Sequence, residues 1–186
     1  MRITRSRALL AIVGGSVLLG SLGAGGALAV GQSAKVTLRD AGGATVGQVK
    51  LTQVGDEVTV RAEVRDVAPG FHGFHVHAVG ACVPPFTSAG GHFNPTATPH
   101  GDHAGDMPPL LVLDDGTASI RFQTDRFAVR QLYDSDGSAV IVHADRDNLA
   151  NIPIRYHSHT EDVFGPDSAT LATGDAGGRF ACGVVE

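Results

Sequence analysis

The chain has 186 residues, a formal net charge of −5 and two cysteines. That length suits one compact domain behind a targeting segment, and the acidic balance, which reaches about −8 once three leader arginines are removed, argues against nucleic acid as a partner.

Arg2, Arg5 and Arg7 form a basic head, followed by an uncharged apolar stretch from Ala8 to Val30 in which Ala27-Leu28-Ala29 supplies the small residues a signal peptidase needs. Residues 1–29 are therefore expected to be a signal peptide and residues 30–186 the mature domain, exported and either secreted or held at the cell envelope. An uncleaved anchor is the rival reading, weakened by the glycines of the stretch, and membrane contact is expected only in that case. Cys82 and Cys182 both lie beyond this segment, which in an oxidising compartment most simply means one intradomain disulfide.

Beyond the leader the pattern is one of short β runs. Ala34 to Arg39, Thr45 to Leu51 and Val58 to Val64 alternate or are β-branched, with turn signals at Ala41-Gly42-Gly43 and Val54-Gly55-Asp56. Further strands are expected at Gly73 to His77, Leu110 to Leu113, Ala118 to Phe122, Ala139 to His143 and Phe180 to Val185, with Asp114-Asp115-Gly116 as a hairpin turn. Helical periodicity is absent after residue 30, so the expected fold is an all-β antiparallel sandwich or barrel of eight strands. Two intervals, Ala78 to Pro109 and Ala144 to Gly178, resist the strand pattern. Loops of that length are usually functional or disordered, and a disulfide and metal ions would pin these two.

Seven of the nine histidines fall between His72 and His143. His75 and His77 are two residues apart on a strand, so both imidazoles project from one face, while His72 is offset by an odd number and is expected to brace a loop through hydrogen bonds. His92, His100, His103 and Asp106 supply three imidazoles and a carboxylate, a full tetrahedral set for a structural zinc ion. His143 closes a strand expected on the far side of the sheet. Joined with His75, His77 and one loop histidine it gives an all-imidazole site, which suits copper.

These residues resemble the copper/zinc superoxide dismutases, bacterial exported type. The resemblance rests on His72-Gly73-Phe74-His75-Val76-His77, Gly91-His92-Phe93-Asn94-Pro95, His103-Ala104-Gly105-Asp106, Val142-His143-Ala144-Asp145, and the run from Gly174 to Gly183, and covers essentially the whole mature chain. It implies a Greek-key β-sandwich or barrel that converts superoxide to oxygen and hydrogen peroxide by copper redox cycling, with a structural zinc. By position it assigns His75, His77, His92 and His143 to copper and His92, His100, His103 and Asp106 to zinc, with His92 bridging the two. It further implies that Asp147 links a copper-binding to a zinc-binding imidazole, that Arg179 guides the anion, that Thr173 narrows the channel and that Cys82 pairs with Cys182. Ala172 stands where some members place a lysine, so steering is expected to rest on Arg179 and other cations such as Arg146 or Arg155. His157-Ser158-His159 has no counterpart and reads as exposed loop. The strand pattern marks no association surface, so monomer and homodimer both stand. An exported copper-binding or copper-buffering protein on the same fold, without turnover, is the alternative, and the full ligand set plus Arg179 speaks against it.

Overall fold

In a computed structural model the structure describes residues 32–186. The expected signal peptide lies outside the described residues. Strands β1 (Ser33–Asp40), β2 (Thr45–Val54) and β3 (Glu57–Val64) form the expected meander, and their buried positions alternate along β1 as the sequence does. Then come β4 (Gly70–His72), β5 (Phe74–His77), β6 (Leu110–Val112), β7 (Ala118–Thr124) and β8 (Ala139–His143). The chain closes with a small hairpin of β9 (His157–Ser158) and β10 (Val163–Phe164), a short helix α1 (Ser168–Thr173), and β11 (Arg179–Val184).

Seven strands make one curled antiparallel sheet in the order β5-β8-β11-β1-β2-β3-β7, and β4 pairs separately with β6. The all-β class and antiparallel pairing stand. All eight expected runs are strands, but the described residues carry eleven, because β4 breaks away ahead of Gly73 and the second long loop contains the β9–β10 hairpin. Helix α1 corrects the expectation of no helix. It is only six residues long, too short to show a 3.6-residue period, yet its ends carry ordinary signals: the Asp167 side chain accepts from Thr170 N, and Gly174 caps the C-terminus in the left-handed region.

The core lies inside the curl. Val36, Leu38, Val49, Leu51, Val60, Phe74, Val76, Val140 and Val142 are among its members, each at most 2% exposed. Phe74 and Val76 point into this core, so His75 and His77, at the alternate positions of β5, point out through the opposite face. A smaller buried cluster of Phe86, Ala89, Ala139, Ile141 and Cys182 lies apart from the main core, with Cys82 packed against it. There Cys82 and Cys182 form the disulfide, closing a separation of 100 residues and tying the first long loop to β11.

Candidate metal centre

Strand β5 is the floor of the site, and the two long loops are its walls. His75 and His77 face outward from it, both less than 2% exposed. His143 is not on the far side of the sheet, as the sequence suggested. Strand β8 is the direct neighbour of β5, with Phe74 opposite Val142 and His77 opposite Ala139, so His143 arrives beside the pair at the end of β8. The first long loop runs back along the other edge of β5. Val76 N donates to Gly105 O, Phe93 N to Val76 O and Gly105 N to Phe93 O, which sets His92 opposite His77 and Asp106 opposite His75. Gly105 is needed for this close approach, since a Cβ there would collide with the Val76 carbonyl.

The result is two overlapping sets of ligand atoms. One donor atom from each of His75, His77, His92 and His143 lies within 4.8 Å of the others, and the same holds for His92, His100, His103 and Asp106. Hydrogen bonds show which nitrogen of each ring is left for a metal. The second nitrogen of His75 is held by Asp147 Oδ2 at 2.7 Å, that of His77 by Gly90 O at 3.0 Å and that of His143 by Gly177 O at 3.4 Å. Each ring therefore donates backwards and turns its free nitrogen to a common point. His75 Nδ1 and His92 Nε2 are buried without a partner, and His77 Nε2 stands 3.3 Å from His143 Nε2. Such crowded, unpaired acceptors are costly unless a cation sits among them.

On the other side Asp106 Oδ1 lies 2.9 Å from His92 Nδ1, 3.2 Å from His100 Nδ1 and 3.3 Å from His103 Nδ1. His100 Nδ1 is out of line for a hydrogen bond and is likewise unpartnered. His92 thus presents Nδ1 to one set and Nε2 to the other. Asp147 connects the sets from behind, with Oδ2 on His75 Nε2 and Oδ1 on His100 Nε2 at 2.8 Å, all three side chains fully enclosed. Gly174, at the end of α1, closes over this link. A Cβ there would collide with Asp147 Oδ1 and His100 Nε2.

Electrostatics separate the two sets. Burial pushes His75 down to about 4 against the pull of Asp147, and burial together with the neighbouring imidazoles pushes His143 down to about 3 and His77 lower still. These rings are neutral at pH 7, ready to bind through a lone pair. Burial also opposes a charge on His100, but the carboxylates of Asp106 and Asp147 outweigh it and raise that ring to about 9. Asp106 and Asp147 are held well below the ordinary carboxylate range despite burial, because imidazoles donate to them.

A cavity of about 430 Å³ opens onto His77, His92 and His143 and is bordered by Ala172, Thr173, Asp175 and Arg179. The Arg179 guanidinium donates to the carbonyls of Phe86 and Gly90, so the first loop, already fixed by the disulfide, holds it in place. Arg179 sits opposite His143 at a bulge between β11 and β8. Thr173 is on the rim, its hydroxyl turned back to Ala169 O. Arg155 lies over the Tyr156 ring, and neither it nor Arg146 borders the cavity. Asp175, which the sequence reading passed over, is the acidic group on the rim, fixed by Asn148 Nδ2 and Thr170 Oγ1. His72 takes its bracing role, with its ring between His143 O and Ala68 O. His157 is bonded to Asp162 on the β9–β10 hairpin, and neither it nor His159 enters either set.

A family model described as copper/zinc superoxide dismutase matches residues 45–185. Among curated proteins, a Cu-Zn superoxide dismutase of Mycolicibacterium paratuberculosis is 40% identical over 140 residues, covering 69% of this chain and 62% of that protein. The Cu-Zn superoxide dismutase of Mycobacterium tuberculosis is 38% identical over 168 residues, covering 83% of this chain and 70% of that protein. Of solved structures, a double mutant of a SOD-like protein from Bacillus subtilis is 29% identical with a TM-score of 0.62, covering 81% of this chain and 95% of that one. The clock protein EA4 is 27% identical with a TM-score of 0.66, covering 83% and 94%.

Proposed function

The chain belongs to the copper/zinc superoxide dismutase family, and we propose that it converts two superoxide anions and two protons to oxygen and hydrogen peroxide at the paired centre. The observation that carries the reading is His92, whose two ring nitrogens face two complete ligand sets at once.

The donor chemistry fits the two metals. Four imidazoles, three of them held neutral by burial, suit copper in either oxidation state, and three imidazoles with one carboxylate suit tetrahedral zinc. Copper, when bound, supplies the one-electron redox change, and zinc supplies a fixed charge beside it. The protein does the rest. Arg179 attracts the small anion into the cavity and holds it over His77, His92 and His143. His92 borders the same cavity, and its imidazole is the group that would pass a proton to the reduced oxygen species. Asp147 fixes the tautomers of His75 and His100 and so the direction of both lone pairs.

Export completes the proposal. The basic head and apolar stretch of residues 1–29 read as a leader to the cell envelope or beyond, and a disulfide between Cys82 and Cys182 suits an oxidising compartment. Residues 30–186 then act as one domain.

Superoxide decay followed directly, with protein loaded with one copper and one zinc against metal-free and zinc-only samples, tests the activity. Fast copper-dependent decay is expected. Tight copper binding with no decay beyond the controls would leave a copper-holding protein on this fold.

A further inference from the structure

The first long loop carries all four zinc-type ligands, three of them in a tight turn from His100 to Asp106, and the structure holds that turn from two sides. From within, Asp106 Oδ2 accepts from the backbone N–H groups of Gly101, at 2.8 Å, and His103, at 3.0 Å. From without, Arg126 Nη1 donates to the backbone carbonyls of the same two residues, to Gly101 O at 2.8 Å and His103 O at 3.2 Å. His103 O also receives the Asp106 N–H at 3.1 Å. Arg126 stands just past the end of β7, with its own N–H bonded to Thr124 Oγ1, so it reaches the loop from the rigid sheet.

We propose that Arg126 is a positioning residue for the zinc-type set, acting through the backbone of Gly101 and His103 on the carboxylate of Asp106. Gly101 and His103 are each fixed through both backbone polar groups. Their N–H groups take one oxygen of Asp106 out of use and leave the other, Oδ1, aimed at His92, His100 and His103. Without the arginine the outward carbonyls would turn to water, the backbone torsions of Gly101 and His103 would be free to relax, the N–H groups on the other side of each Cα would lose their aim, and Oδ1 would lose its fixed direction. The ion pair of Arg126 with Asp102 is not the active part: at 3.6 Å and largely exposed it contributes little. The inference rests on the proposed zinc assignment of this set.

The test uses the metal-free full-length protein as wild type, Arg126→Met, Arg126→Lys and Asp102→Asn, with zinc affinity measured against a chromogenic chelator, copper affinity against a copper chelator, and melting temperature with and without zinc. Methionine keeps the apolar stem and removes the donors. The expected result for Arg126→Met is zinc affinity 10–100-fold weaker and a smaller zinc-induced rise in melting temperature, with copper affinity and the metal-free melting temperature unchanged. Lysine should recover part of the loss, and Asp102→Asn should behave as wild type. Zinc binding as tight in Arg126→Met as in wild type overturns the inference, and so does a loss matched by a lower metal-free melting temperature. Failure of wild type itself to bind zinc would instead remove the zinc assignment, and the inference with it.

Discussion

At the scale of single residues, the site works by giving each ring nitrogen one occupation. Backbone carbonyls and Asp147 hold one nitrogen of His75, His77 and His143, and the other is left for a metal. Arg179 has the analogous arrangement for a cation, held by two carbonyls beside the cavity. Its replacement by alanine should leave copper content unchanged and lower turnover about tenfold or more at low salt, with much of the salt dependence lost, because guidance of an anion is screened by ions. Stopped-flow superoxide decay at two ionic strengths checks this, and unchanged turnover at low salt would remove Arg179 from the reaction. The facing of His75 and His77 was legible because a strand alternates with period two. The partners of Arg179 were not legible, since Phe86 and Gly90 act through carbonyls that every residue type carries. Asp175 was missed for a similar reason: nothing in its sequence neighbourhood says that it borders the cavity.

At the scale of elements, α1 matters through its end rather than its length. Gly174 takes the left-handed conformation that stops the helix and lies directly on the Asp147–His100 hydrogen bond. Gly174→Ala should therefore pull apart the link between the sets, with zinc affinity lowered about 10–100-fold and a stability cost of roughly 1–2 kcal/mol from the positive φ alone. Chelator competition and chemical denaturation measure the two effects, and wild-type zinc affinity in that variant would contradict this account of α1. The helix is flanked by Asp167 and Gly174, ordinary start and stop residues that a reading for periodicity alone overlooks. The two-residue strands β9 and β10 left no pattern at all, because alternation cannot be seen over so short a span.

At the scale of the molecule, the metal-free protein stores electrostatic tension that should show as pH-dependent stability. The depressed rings, His75 at about 4, His143 at about 3 and His77, bind protons in the unfolded chain near 6.5 but not in the folded one. Their stabilising contribution is present above about 6.5 and is lost as the pH falls, at up to about 1.4 kcal/mol per pH unit for each ring. His100 has the opposite sign. Raised to about 9, it contributes fully below about 6.5, and that contribution is lost as the pH climbs through 9. Denaturant unfolding of the metal-free protein between pH 5 and 9 should give a maximum near neutrality, and a flat profile would contradict the burial of these neutral rings. The curled sheet and its two long loops were legible from strand patterns and their interruptions. The adjacency of β8 to β5 was not, because pairing between strands more than sixty residues apart in sequence is decided by the whole topology rather than by either strand.

That topology exists, functionally, to let one ring serve two ligand sets, and His92→Ala tests this most directly. Copper and zinc affinities of the wild-type and variant metal-free proteins, each measured by competition, are predicted to fall together in the variant. Full occupancy by both metals at wild-type affinity in His92→Ala would contradict the shared imidazole on which the account rests.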